Sequence, residues 1–140
     1  MMKKKSAYEG LQAGVRSLPL PDIEVWENQY QDRVYTVDLE IPEFTCICPK
    51  TGLPDFASVR VSYEPRQWCL ELKSLKMYVV AYRNLGIFHE HFVNRILDDI
   101  VKACHPRRAK VTAAMNPRGG ITTVVTAEYG GPGKRETVIK

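Results

Sequence analysis

The chain has 140 residues, of which 44% are apolar and 26% charged, and its formal net charge is +4. Such a composition is typical of one soluble globular domain, large enough to fold without disulfide bonds. It excludes a membrane-spanning helix, because no apolar run approaches about 20 residues, and the basic start lacks the apolar centre of a secretory signal. We therefore expect a cytoplasmic protein with four reduced cysteines and no membrane partner.

The first 32 residues show no regular hydrophobic period and contain Pro19 and Pro21. We interpret residues 1–32 as an irregular N-terminal arm, followed by a single domain over residues 33–140. Apolar and polar residues then alternate over residues 35–41 and again over residues 59–63, which predicts two half-buried strands. A third extended segment is predicted at residues 68–72.

A helical pattern follows over residues 73–82 and is broken at residues 84–86. A second helix is predicted from an apolar residue at every fourth position: Phe88, Phe92, Ile96, Ile100 and Cys104. Pro106 ends it. Two further strands, at residues 109–115 and 121–129, are joined by a turn-rich connection at residues 116–120. The order strand, strand, helix, helix, strand, strand predicts an α+β fold.

The segment FTCICPKTGLPDF, at residues 44–56, places Cys48 in a loop stiffened by prolines and a Thr-Gly pair. A carboxylate, Asp55, follows seven residues later. A thiol and an acid at the two ends of a short stiff loop are the parts of a nucleophile with its own proton donor. Lys50 is positioned to contribute positive charge and so to lower the pKa of the thiol.

Two alternatives remain open at this point. Cys46 and Cys48, with a histidine, would make a zinc site, although a single C-x-C pair is weak evidence for zinc. The net positive charge is also compatible with a non-catalytic module that binds nucleotides or RNA. No aromatic residues are interleaved with the basic ones, however, so we expect no direct binding of nucleic acid.

Four motifs in one order carry a more specific signal: CPKTGLPDF, then ELKSLK at residues 71–76, FHE at residues 88–90, and PRGG at residues 117–120. Together they resemble the NADPH-dependent 7-cyano-7-deazaguanine reductases of queuosine biosynthesis, in their short form, over residues 34–133. The resemblance implies the tunnelling fold, in which ββααββ units join into a barrel. It also implies a homo-oligomer, a ring of five with two rings stacking to ten.

The resemblance further implies the chemistry. The enzyme reduces the nitrile of 7-cyano-7-deazaguanine to the primary amine of 7-aminomethyl-7-deazaguanine, with NADPH and through a thioimide on a cysteine. It assigns the nucleophile to Cys48 and the proton donor to Asp55. The substrate-binding residues implied are Leu70, Glu71, Leu72, His89 and Glu90. Leu72 stands where many family members have serine, so only a backbone role carries over there.

The cofactor residues implied are Lys73, Lys76, Arg118 and Gly119. Lys73 and Lys76 are one helical turn apart and share a face, Arg118 can fork onto a phosphate, and the glycines allow close backbone approach. No G-x-G-x-x-G motif is present, so a Rossmann site is not expected, and no metal is expected. The alternative within the same fold is a zinc-dependent cyclohydrolase or pterin-type enzyme that uses Cys46 and Cys48.

Overall fold

The computed structural model describes residues 10–131, and its centre is one antiparallel sheet of four strands. The strands lie in the spatial order β2-β3-β5-β6, and every neighbouring pair is antiparallel. Their bounds are β2 Val37–Ile47, β3 Pro54–Glu64, β5 Arg108–Met115 and β6 Val124–Gly130. All four strands match predicted ones to within a few residues, except that β2 and β3 continue into the segment predicted as a loop.

Along the chain, both helices come after β3 and before β5. Helix α1, Leu72–Ala81, begins where Glu71 accepts hydrogen bonds from two backbone N–H groups, and a 3₁₀ turn, Tyr82–Asn84, continues it. Helix α2, His89–Cys104, ends at His105, which has a φ of 45°, one residue before Pro106. The ββααββ order and the α+β class are thus confirmed.

A second, two-stranded ribbon was not foreseen. Strand β1, Val25–Glu27, pairs antiparallel with β4, Trp68–Leu70. A 3₁₀ turn, Val15–Ser17, precedes it. Strand β1 and this turn lie in the segment predicted to be irregular, because elements of three residues are too short to show a hydrophobic period. Strand β4 is the extended segment predicted at residues 68–72, and only its pairing with β1 was not predicted. The domain boundary at residue 33 stays a prediction.

The core lies between one face of the sheet and α2. The predicted apolar stripe of α2 is buried, with Phe92, Ile96, Ile100 and Cys104 at most 1% exposed. Phe92 stacks on Phe44 of β2 with the ring centroids 4.5 Å apart, a favourable aromatic geometry. Packing of α2 against the sheet fixes where its first turn lies, and that turn carries His89 and Glu90.

The two edges of the main sheet are β2 and β6. Within residues 10–131 these four strands form an open sheet, and an edge strand presents unpaired backbone groups. Within residues 10–131 no helix is long and apolar enough to span a bilayer.

Candidate active site

The cysteine loop is shorter and tighter than the sequence indicated. It is a hairpin between β2 and β3, closed by a hydrogen bond from the Cys48 N–H to the Leu53 carbonyl at 2.8 Å and another from the Gly52 N–H to the Cys48 carbonyl at 2.9 Å. Gly52 has a φ of 72°, a conformation that glycine adopts without strain. Cys48 is therefore held at the end of a strand, half-buried, by its own backbone hydrogen bonds.

The electrostatic surroundings of Cys48 suit a nucleophile. Partial burial by itself raises the pKa of the Cys48 thiol, but hydrogen bonds from the Thr51 side chain and from the backbone N–H groups of Thr51 and Lys50 outweigh burial. The pKa therefore lies below its ordinary value. These hydrogen bonds stabilise the thiolate, which is the reactive form. The sequence had suggested the Lys50 ammonium charge, whereas the structure identifies the backbone N–H of Lys50.

Cys46 has the opposite surroundings. It is fully buried in β2, and its Sγ lies 3.8 Å from the Ile87 carbonyl oxygen. Burial and, next, the charge of Asp55 raise the pKa of Cys46 to about 12. Within residues 10–131 there is no group of three His, Cys, Asp or Glu side chains placed to hold a metal ion. The ligand set required by the zinc alternative is therefore not assembled in this part of the chain.

Asp55 is the buried acid of the site, with 4% of the residue exposed. It lies in β3 directly opposite Cys46 of β2. One carboxylate oxygen, Oδ1, is 2.6 Å from Nη2 of Arg118, and the other, Oδ2, is 3.3 Å from Nε2 of His89. A buried carboxylate is retained in proteins when it is paired in this way.

His89 and Arg118 thus reach one carboxylate from two different elements of the fold. His89 is the first residue of α2, whereas Arg118 belongs to the hairpin between β5 and β6. The Arg118 guanidinium also donates to the Pro54 carbonyl. The imidazole of His89 can exchange a proton with the neighbouring carboxylate, whereas the guanidinium of Arg118 stays charged and holds the carboxylate in place.

The PRGG hairpin, at residues 117–120, leaves its backbone accessible to a ligand. Arg118 and Ile121 exchange two backbone hydrogen bonds of 2.9 Å around Gly119 and Gly120, whose φ values are 57° and 77°. Positive φ at both central residues is the two-residue hairpin turn that glycine favours. A side-chain carbon at either glycine would meet nothing within 4 Å, so this backbone is open to a ligand.

The residues assigned to substrate at the start of α1 have structural roles in this chain. The Glu71 carboxylate accepts from the backbone N–H groups of Lys73 at 2.6 Å and Ser74 at 2.8 Å. These bonds lower its pKa. Leu70 is buried and its N–H donates to the Tyr63 hydroxyl, whereas Leu72 is 57% exposed. The helix cap is the observed role of Glu71, and recognition of substrate stays a prediction for all three residues.

Lys73 and Lys76 project from α1 and are both exposed. Lys76 lines a groove of about 360 Å³ between α1 and β2, together with Arg83. The hydrogen bonds and ion pairs that join Asp55, His89 and Arg118 within residues 10–131 include neither lysine. The structure therefore brings Asp55, His89 and Arg118 together beside the Cys48 hairpin. Glu90 is exposed at the first turn of α2.

Thr51 is a residue of the site that sequence reasoning treated only as part of a turn. Its hydroxyl accepts from the Leu53 N–H at 3.2 Å and hydrogen-bonds the Cys48 sulfur. The sequence carried one signal for this role, a hydroxyl three residues after a cysteine within a turn that contains Gly and Pro. Threonine side chains often bond within their own turn.

Comparison with known proteins places these features in a family. The model of the family described as "QueF-like protein" matches residues 54–134, which include Asp55, His89 and Arg118. The chain belongs to the QueF-like protein family. The sequence is also similar to those of named relatives. A relative from Elusimicrobium minutum (strain Pei191), named NADPH-dependent 7-cyano-7-deazaguanine reductase, is 56% identical over 110 residues, 79% of this chain and 83% of the relative.

A second relative of the same name, from Chlorobaculum tepidum, is 57% identical over 107 residues, 76% of this chain and 92% of the relative. Among solved structures, the crystal structure of the archaeosine synthase QueF-Like in the apo form matches with a TM-score of 0.64 and 31% identity. That match covers 69% of this chain and 94% of the other. The QueF-like fold and the resemblance inferred from the four motifs are both confirmed.

Proposed function

We propose that this QueF-like protein is an NADPH-dependent nitrile oxidoreductase that reduces 7-cyano-7-deazaguanine to 7-aminomethyl-7-deazaguanine, a step of queuosine biosynthesis in the cytoplasm. Relatives at 56% and 57% identity bear the name of this reductase and align over more than three quarters of the chain. The observation that carries the proposal is Cys48, a half-buried thiol with a lowered pKa, in a hairpin whose second strand carries the paired acid Asp55.

Cys48 is the nucleophile of this proposal. Its thiolate sulfur adds to the nitrile carbon, one C≡N π bond breaks, and the nitrogen takes up one proton. The product is a thioimide on Cys48, with all substrate atoms retained. Hydrogen bonds from Thr51 and the Lys50 backbone lower the pKa of the thiol and so favour its ionised form, and a thiolate attacks where a thiol does not.

Asp55 is the group that delivers this proton. It is the buried acid next to the hairpin, and His89 at 3.3 Å is placed to restore its proton from the surface side, since its side chain is partly exposed. The same pair handles the protons of the later steps, in which the tetrahedral thiol adduct releases Cys48 and leaves an imine. General acid catalysis of this kind contributes about 10²- to 10⁴-fold.

Two molecules of NADPH, bound in turn, would each supply one hydride, the first for reduction of the thioimide and the second for reduction of the imine. The chain's residues fit a phosphate-bearing cofactor, because the open backbone at Gly119 and the cations Arg118, Lys73 and Lys76 provide suitable donors. Arg118 is held by Asp55 in this structure. Binding of a phosphate at Arg118 therefore competes with that ion pair.

Substrate recognition is proposed for Glu71, His89 and Glu90, with Leu70 and Leu72 contributing backbone groups. A carboxylate accepts two hydrogen bonds from the guanine-like face of the base. The Glu71 carboxylate caps its own helix, and we further propose that neighbouring subunits complete each site in an assembly of two five-membered rings.

The direct test is incubation with 7-cyano-7-deazaguanine and NADPH, followed by absorbance of the nicotinamide band. We expect two NADPH oxidised for each amine formed, and no turnover when a base without the nitrile replaces the substrate. Absence of both NADPH oxidation and a covalent adduct in the unmutated protein would refute the proposal.

A further inference from the structure

Helix α2 has no capping side chain at its N-cap position. Its N-cap residue is Phe88, which makes no side-chain capping hydrogen bond. The first backbone N–H groups of a helix have no partner inside the helix, and a capping side chain normally contributes to fixing where the helix starts. This start matters here because the next two residues are His89 and Glu90.

Gln12 of the N-terminal arm, 74 to 79 residues away in sequence, instead binds the N-cap residue itself and residues on either side of it. Its Oε1 accepts from the Phe88 N–H at 3.1 Å and lies 2.9 Å from Nδ1 of His91. Its Nε2 donates to the Gly86 carbonyl at 3.3 Å. The Gln12 amide therefore contacts Gly86, Phe88 and His91, from the loop before α2 to the first turn of the helix.

The arm is fixed in the position that this contact requires. Arg95 of α2 donates to the Val15 carbonyl at 2.9 Å and to the Leu18 carbonyl at 2.7 Å. The same guanidinium is held by Asp99 at 2.8 Å, one helical turn away. Val15 and Leu18 come three and six residues after Gln12, so these bonds hold the arm beside α2 close to Gln12.

The segment that Gln12 contacts is also joined to the site. The Ile47 N–H donates to the Leu85 carbonyl at 2.9 Å, and the Ile87 N–H donates back to the Ile47 carbonyl at 3.0 Å. Ile47 immediately precedes Cys48. At the other end of the segment, His89 pairs with Asp55. A shift of this segment would therefore move His89 relative to both Asp55 and the nucleophile.

From these contacts we infer that Gln12 is a positioning residue for the nitrile reduction, holding the start of α2 so that His89 stays aligned with Asp55. The inference rests on the proposed function and adds a role for the N-terminal arm. Gln12 acts through backbone and side-chain groups of residues 86–91 and does not itself contact Cys48 or Asp55.

The test is the rate of adduct formation on Cys48, followed by intact-protein mass without NADPH, so that only the first chemical step is measured. Gln12→Met keeps the length of the side chain and removes its hydrogen bonds. Gln12→Glu keeps the acceptor for Phe88 and His91 and removes the donor to Gly86. The matched control is Gln31→Met, because Gln31 lies in the same N-terminal region and donates to the Asn28 carbonyl at 3.0 Å.

We expect Gln12→Met to slow addition about tenfold, the scale of one lost helix cap or buried hydrogen bond. Gln12→Glu should fall between Gln12→Met and the unmutated protein, and Gln31→Met should match the unmutated protein. Alkylation of Cys48 by iodoacetamide should change less than about twofold, because the Cys48 hairpin holds the thiol by its own hydrogen bonds.

An unchanged addition rate in Gln12→Met would overturn the inference, and so would an equal loss of alkylation and addition, which indicates general disruption of the hairpin. If Gln12→Met does not fold, Gln12→Glu decides the same question by its addition rate at unchanged melting temperature. If the unmutated protein forms no adduct, the proposed function fails, and the role of Gln12 fails with it.

Discussion

Arg118 and Asp55 form an ion pair of 2.6 Å, although 62 residues separate them between β3 and the β5–β6 hairpin. The pair places the guanidinium that we assign to the cofactor directly on the carboxylate that we assign to proton transfer. Arg118 then has two possible partners, the Asp55 carboxylate and the cofactor phosphate. It must exchange the first for the second when the phosphate binds.

This relationship gives a prediction for Arg118→Ala. If Arg118 holds the 2′-phosphate, the variant should raise the KM for NADPH and reduce the preference over NADH, by about tenfold for a lost charged hydrogen bond. Because Asp55 loses a partner, addition of substrate to Cys48 without NADPH should change as well. Steady-state kinetics with both cofactors and adduct formation without cofactor separate the two effects. Equal use of NADPH and NADH by the unmutated protein would contradict the cofactor role.

The two nearby cysteines should differ completely in reactivity. Cys48→Ala should abolish both the adduct and turnover, whereas Cys46→Ala should retain both and lose about 1 kcal/mol of stability, since it removes a buried sulfur. The adduct should carry the full mass of the substrate, because addition to a nitrile expels no leaving group. Intact-protein mass spectrometry and a thermal melt test this. An inactive Cys46→Ala that still folds would mean that the wrong nucleophile was chosen.

Asp55→Asn should keep the shape of the acid and remove its proton. We expect thioimide formation to slow by about 10²-fold or more. Asparagine cannot neutralise the Arg118 charge, so the melting temperature is measured alongside. Asp55→Glu is the companion variant, since it retains an acid at a displaced position and should be intermediate. A near-normal rate for Asp55→Asn would remove this residue from the mechanism.

The pH dependence of addition should report the ionisation of Cys48. Only the thiolate attacks, so the rate should rise with pH as Cys48 ionises, and this rise should lie below the range of an ordinary cysteine because the pKa of Cys48 is lowered. Thr51→Val removes the side-chain hydrogen bond that favours the thiolate, so the rise should move to higher pH. Thr126→Val on β6 is the control, because its hydroxyl contacts Thr112 instead. An unchanged profile for Thr51→Val would exclude Thr51 from activating the thiol.

The isolated subunit should assemble. The four-stranded sheet leaves β2 and β6 as edges, and closing a ring with neighbouring subunits pairs such edges. We expect sedimentation to show a decamer of two pentamers, and activity to fall on dilution to dissociation. A fully active monomer near 16 kDa would contradict the shared site.

The sequence alone determined the order of the long elements, since a hydrophobic period of two or of nearly four residues is a local property of the chain. It also predicted Cys48 and Asp55 as a pair, because both lie in one hairpin, and the four motifs indicated the family. Only the tertiary structure decided which groups surround them. Arg118 and His89 reach Asp55, and Gln12 reaches Phe88, across sequence separations at which periodicity carries no information. The same holds for the ribbon of β1 with β4 and for the contrast between Cys46 and Cys48, because burial depends on how α2 packs on the sheet.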